Sequence, residues 1–246
     1  MRGPSSGPHH RRPFIEDIHE RSLPDARMTR IVLASTSPRR RELLTRAGVR
    51  FSVADPPDDV PVPPGMCSDL AVQLVARHKA MTVATTRPPG SFVIGADTMV
   101  IGPKGPLGKP QTPQRAREML CSLRGLRHTV LTGVCAIAAP GGPEVLGVSR
   151  SAVRMRDFSD AELDAYIASG EPLDKAGAYA VQGAGGDLIE AVGGRIDTVV
   201  GLDVALALRL LTEVGYPLPL PAAADLPPAP HRSHRPLSPM RTAGRI

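Results

Sequence analysis

The sequence predicts a mixed α/β fold, and three observations carry that expectation. Apolar runs of strand length alternate with segments of helical period between residues 28 and 216. Across 31–44 (IVLASTSPRRRELL) one such run passes directly into a helix start. Ser37 suits an N-cap there, and Pro38 suits the first helical position, where its missing N–H is no loss. The chain has 246 residues and is 41% hydrophobic, enough for one large domain or two lobes, and none of its apolar runs approaches the ~20 residues of a membrane-spanning helix.

Taken in order, the first strand covers 31–34 and the first helix closes near Gly48, a residue suited to the position after a helix end. A second strand at 49–54 leads into the acidic turn Asp55-Pro-Pro-Asp58-Asp59. Residues 68–84 read as a helix with Leu70, Leu74, Val75 and Ala80 on one face and Arg77 and Lys79 off it. FVIGADTMVI (92–101) reads as a buried strand interrupted at Gly95–Thr98, and a loop then carries Leu107-Gly108-Lys109-Pro110. Thr112 caps a helix at 113–123, strands follow at 129–138 and 144–156, and Ser159 starts a helix at 160–169. Strand pieces at Val181 and 188–192 flank a Gly-rich turn, and 204–214 is a closing amphipathic helix; no internal repeat is present.

The net charge of +6 hints at nucleic acid, but +1 of it lies in 1–27 and +3 in 217–246, leaving +2 on the body. So neutral a body suits a small polyanion held locally better than a nucleic-acid groove. With no Trp, three Tyr and four Phe, platforms for base stacking are scarce. Residues 1–27 lack an apolar secretory stretch, and Met28 directly precedes TRIVLAS, so a disordered extension is expected before a domain at 28–216. Eight prolines between 217 and 239 predict a disordered Pro-rich tail over 217–246. Cys67, Cys121 and Cys135 form neither a zinc pattern nor a disulfide framework and read as buried structural thiols in a reducing cytosol.

Candidate chemistry begins at the first helix start. Exposed backbone N–H groups and the positive dipole end favour anions there, yet Arg39, Arg40 and Arg41 follow where acidic residues normally sit. Such a start is either a solvated basic face or a polyphosphate cradle built from guanidinium forks and Ser35. Asp97 breaks an apolar strand, and a carboxylate there is either a turn cap, a ligand for a hard divalent cation or a base for water. Lys79, Lys109 and Lys175 are three of only four lysines, the latter two in small-residue loops where an ammonium could reach a phosphate. Gln182 could present an amide to a base edge or belong to an ordinary turn. There is no Walker lysine loop, GxGxxG fingerprint, nucleophile elbow or zinc pattern. The residues alone point to a metal-dependent enzyme acting on a small phosphorylated substrate.

LASTSPRRRELL (33–44), VARHKA (75–80), IGADTMV (94–100), LGKP (107–110), HTVLTGV (128–134), YIASGEPLDKAGAYAVQG (166–183) and VVGLDV (199–204) together resemble the Maf-type nucleoside triphosphate pyrophosphatases, over roughly residues 29–211. The resemblance implies a Maf/ITPase-like fold, a mixed sheet with flanking helices in two lobes about a central cleft. It also implies a cytoplasmic homodimer that hydrolyses a nucleoside triphosphate to monophosphate and pyrophosphate, with no nucleic-acid or membrane partner. Asp97 matches the proton-acceptor position; Ser35, Arg39 and Arg40 match the phosphate-gripping motif; Lys79, Thr98, Lys109 and Gln182 match further pocket positions. Arg39, Thr98 and Gln182 resemble the subgroup acting on dTTP and UTP. A divalent cation, Mg²⁺ or Mn²⁺, is expected at Asp97 and Asp59. The family usually has an Asp-Glu pair after its second strand, so Asp59 is one methylene shorter than expected. Asp203 replaces the usual proline and is expected to alter only a helix start. The Pro-rich, arginine-bearing tail favours the alternative of a nucleotide-binding regulator of cell division acting through a protein partner.

Overall fold

A computed structural model describes residues 30–56, 59–217, 219–222, 224, 226 and 235–236. The expected extension at 1–27 lies outside the described residues, as does most of 217–246.

One mixed eight-stranded sheet organises the molecule, in the order β2-β1-β3-β5-β6-β7-β8 with β4 beside β3. Strands β1 (Arg30–Ala34), β2 (Phe51–Ala54) and β3 (Ser91–Gly102) run parallel to one another. The antiparallel remainder is β4 (Gly105–Leu107), β5 (Arg127–Ala139), β6 (Glu144–Met155) and β7 (Ile189–Gly193). The two-residue strand β8 (Arg235–Pro236) lies parallel to β7.

The period-2 alternation of β1 decides which helices cover which face. Val32 and Ala34, with Val93 and Ile137, meet helix α2 (Ser68–Ala84) on one face. Ile31 and Leu33, with Phe92 and Ile94, belong to the larger cluster on the other. Leu43 and Leu44 of α1 (Pro38–Arg46) join that cluster, as do the leucines of α6 (Val204–Glu213). Helices α3 (Pro113–Leu123) and α4 (Asp160–Ala168) pack on each other beside the second half of β3, and the short helix α5 (Ile196–Val200) touches α1, β5 and β6. Leu220 and Leu226, beyond residue 216, pack against the larger cluster.

Several expectations are corrected. Strand β3 is continuous for 12 residues through Gly95–Thr98, because each of those residues pairs in register with β5. Helix α2 buries Ala71, Val72, Val75, Ala76, Lys79, Ala80, Val83 and Ala84, while Leu70 is 55% exposed. Small residues take this face because the helix lies directly on the sheet. A Cβ added at Gly95 would come within 2.3 Å of the Ala76 carbonyl oxygen, and one at Gly133 within 2.5 Å of that of Val72. Cys135 is buried, and burial pushes its thiol up to about 12, but Cys67 and Cys121 are exposed. Val181 is not in a strand; the chain there winds through 3-10 turns at Glu171–Asp174, Ala176–Ala178 and Ala184–Leu188. Helix α5 and strand β4 were not anticipated, each being too short for a periodic signal.

Candidate active site

The carboxyl ends of β1 and β3 open onto a cavity of about 1000 Å³, where α1 begins and where the loops after β4 and α4 close over it. Helix α1 starts as expected, with extended Ser37 at its N-cap and proline at the first helical position. The Ser37 side chain makes no capping bond; its backbone N–H instead donates to Oγ of the buried Ser35 at 3.2 Å. No acidic residue stands in the first turn, so nothing in the helix itself offsets its positive end.

Arg40 reaches back from this turn across the mouth of the sheet. Its Nε donates to the Gly201 carbonyl at 2.7 Å, and its terminal nitrogens donate to Ser35 Oγ and Thr98 Oγ1, both at 3.3 Å. Burial pulls its pKa down; Asp97 and Asp59 act to raise it and neighbouring Arg39 lowers it again. Arg39 is also lowered by burial, partly offset by Asp174 and Glu171. Thr98 Oγ1 further lies 3.0 Å from Thr132 Oγ1 across β5, and Thr132 donates to the Thr198 carbonyl at 2.8 Å. The α1 arginine is thus tied to the sheet and to the α5 turn before any ligand arrives.

Lys79 reaches the same cavity from the opposite face of the sheet, and the glycine contacts explain how. With α2 seated on Gly95 and Gly133, Nζ of the buried Lys79 lies 2.8 Å from Asp97 Oδ1 and 2.7 Å from Asp59 Oδ1. Asp97 is nearly enclosed, with 17% of its side chain exposed against 64% for Asp59. Two carboxylates therefore converge on one positive group. Among the described residues, no group of three or more His, Cys, Asp or Glu side chains could hold a metal ion by itself.

Ser35, Arg39, Arg40, Asp59, Lys79, Asp97, Thr98 and Lys109 all line this one cavity, as does Lys175, paired with Asp174. Gln182 is the exception: it is half-buried and not among the lining residues. The loop that carries it is held elsewhere, by the Glu171 carboxylate, which accepts from the backbone N–H groups of Ala184 at 3.0 Å and Gly185 at 3.2 Å and from the Tyr166 hydroxyl at 3.1 Å. Asp203 does start a helix, accepting from the Leu206 N–H at 3.0 Å, but it also accepts from Ser149 and pairs with Arg195. Sequence reasoning missed the Gly201 carbonyl, Thr132 and Tyr179; only the tyrosine, one of three in the chain, carried a signal that could have been weighed.

The profile of the Maf family, described as "Maf-like protein", matches residues 30–214. A dTTP/UTP pyrophosphatase of Anaeromyxobacter sp. (strain Fw109-5) is 46% identical over 193 residues, covering 77% of this chain and 92% of that protein. A protein of the same name from Moorella thermoacetica is 43% identical, over 76% of this chain and 96% of that one. Among solved structures, a dITP/XTP pyrophosphatase of Mycobacterium abscessus superposes with a TM-score of only 0.33 at 15% identity, over 52% of this chain and 74% of that one, too loosely to bear on function. No helix among the described residues is long and apolar enough to cross a membrane.

Proposed function

The chain belongs to the Maf family, and on that premise and the geometry of its cavity we propose that it hydrolyses a nucleoside triphosphate, dTTP or UTP, to the monophosphate and pyrophosphate. The observation that carries the reading is the meeting of Arg39, Arg40 and Lys79 with Asp59 and Asp97 in one cavity. Three cationic side chains suit a polyphosphate, and two carboxylates suit a cation and a water.

The chain's own residues divide the work. Backbone N–H groups at the α1 start and the guanidinium groups of Arg39 and Arg40 grip phosphate oxygens and take up the charge that grows on the leaving pyrophosphate. Arg40 is pre-set for this by Gly201, Ser35 and Thr98, so little reorganisation accompanies binding. Asp97 accepts a proton from the water whose oxygen bonds to the α-phosphorus as the bond from that phosphorus to the bridging oxygen breaks. Lys109 and Lys175 extend the positive rim toward the loops.

A divalent cation, Mg²⁺ or Mn²⁺, fits Asp97 and Asp59, because their Oδ1 atoms already gather around one positive group, Nζ of Lys79, at 2.8 and 2.7 Å. Two carboxylates completed by phosphate oxygens form the donor set that Mg²⁺ commonly takes at nucleotide sites. When bound, the cation supplies charge that polarises the phosphoryl oxygens. A role for Gln182 in base selection is proposed on kinship alone, its side chain lying outside the cavity lining. A homodimer in the cytoplasm is proposed on kinship alone.

A panel of canonical and modified nucleoside triphosphates with Mg²⁺ or Mn²⁺, scored for pyrophosphate and orthophosphate, tests the reading. Pyrophosphate with monophosphate from dTTP or UTP, lost on chelation with EDTA, is expected. Orthophosphate release, or no turnover across the panel, would overturn it.

A further inference from the structure

Besides its charged groups the cavity has an apolar stretch of wall, and a buried pair stands at it. Along one face of β5, Thr132 meets Thr98, Val130 lines the cavity, and His128 comes next at the same period of two. His128 is 4% exposed, and its Nε2 lies 2.7 Å from the hydroxyl of Tyr179, which is 5% exposed and lines the cavity. The two rings meet edge to face, with centroids 5.4 Å apart. Val100 and Leu107, paired across β3 and β4, form the adjoining apolar wall.

The backbone before Tyr179 is bent to serve this placement. Gly177 and Ala178 are successive left-handed residues, at φ 69° and 64°, and Ala178 is one of two non-glycine residues with positive φ among those described. Such a conformation is unfavourable for alanine and persists where surroundings over-determine it. The Gly177 N–H bonds to the Gly108 carbonyl at 3.1 Å, tying this segment to the loop after β4.

The remaining ring nitrogen defines the tautomer. His128 Nδ1 is buried and has no hydrogen-bond partner. Burial lowers the imidazole pKa to about 4, so the ring is neutral near pH 7 and carries one N–H. Placing that hydrogen on Nδ1 would orphan a buried donor away from the cavity; placing it on Nε2 leaves a lone pair there and frees instead the phenolic hydrogen of a residue that lines the cavity, the lesser cost. Nε2–H therefore donates to the tyrosine oxygen, and the phenolic hydrogen is left for an acceptor outside the pair.

We propose that Tyr179 is the wall against which the nucleoside of the substrate packs, its hydroxyl donating to a base carbonyl oxygen, and that His128 is the positioning residue that fixes it. This rests on the triphosphate reading, because only a substrate with a charged and an uncharged part engages both the cationic groups and this apolar wall. The pair acts on the nucleoside end alone, so it should be invisible to a ligand that is all phosphate.

The test compares Tyr179→Phe, His128→Leu and His128→Gln with the unaltered chain, measuring kcat and KM for dTTP and UTP and the inhibition constant of inorganic tripolyphosphate. Tyr179→Phe and His128→Leu should raise KM about 3- to 10-fold, the worth of one hydrogen bond, with kcat and tripolyphosphate inhibition unchanged. His128→Gln should recover most of the KM, since its side-chain amide can replace Nε2–H as donor. Tripolyphosphate inhibition weakening in step with KM, no change in KM, or glutamine no better than leucine would each overturn the proposal. Should His128→Leu fail to fold, Tyr179→Phe and His128→Gln still decide it. No hydrolysis by the unaltered chain would instead remove the triphosphate reading itself.

Discussion

Two helices of this chain begin in opposite ways. At α4, Ser159 and Glu162 form a complete capping box, with Asp160 and Glu162 in the first turn complementing the dipole. At α1, Ser37 makes no side-chain cap, no acid follows, and three arginines stand in its place. The first start is arranged for the helix; the second leaves its donors and its positive end available to an anion. What α1 forgoes in capping is supplied from elsewhere, by Leu43 and Leu44 in the core and by the bonds of Arg40 to Gly201, Ser35 and Thr98. A helix start that contradicts the rules of helix stability is where we propose that the substrate is held.

The largest expected effect removes the carboxylate that shares the cavity with the α1 arginines. Asp97→Asn should lower turnover of dTTP or UTP by about 10²- to 10⁴-fold, with triphosphate binding retained in calorimetry. Retained turnover would detach α1 from any catalytic carboxylate. Next, Arg39→Glu makes α1 resemble α4: turnover should fall by about 10²- to 10³-fold while the thermal midpoint does not fall. A lost midpoint with unchanged kinetics would make that arginine structural.

Smaller effects come from α4. Ser159→Ala should cost about 1 kcal/mol in urea unfolding and leave turnover unchanged. The cap should also be sensitive to acid. The Ser159 backbone N–H, Arg156 and the Ser159 hydroxyl lower the Glu162 carboxyl to about 2. The unfolded chain thus takes up that proton first. The stabilisation is complete above about 4.5 and fades as pH falls toward 2. The difference in thermal midpoint between the unaltered chain and Glu162→Gln should therefore shrink across that range; a constant difference would show that the charge of Glu162 does not hold the cap. Helix α1, with no first-turn acid, has no counterpart to this titration.

How far the sequence could be read follows the same division between local and tertiary causes. The SPRRR start, the Thr112 and Ser159 caps and the bounds of α2 and α3 were legible because each depends on neighbours in sequence. The buried face of α2 was not, since leucine normally marks it, and only the meeting of α2 with Gly95 and Gly133 turns the alanines and Lys79 inward. Gly95 was visible in GADT, but as an apparent interruption of a strand, and Gly133 lay unremarked inside the strand expected at 129–138. Most residues picked out by the resemblance line one cavity, yet Gln182 stands outside it because Glu171 anchors its loop, a contact across 13 and 14 residues that no periodicity reveals. Tyr179 was overlooked because an aromatic residue in a short loop reads equally as core.

The central claim is that a triphosphate gripped at the α1 start is attacked at its α-phosphorus by a water that Asp97 orients. Hydrolysis of dTTP or UTP in ¹⁸O-enriched water, with products resolved by mass spectrometry, tests it directly. The account predicts label in the monophosphate and none in the pyrophosphate; label in the pyrophosphate, or in free orthophosphate, would contradict it.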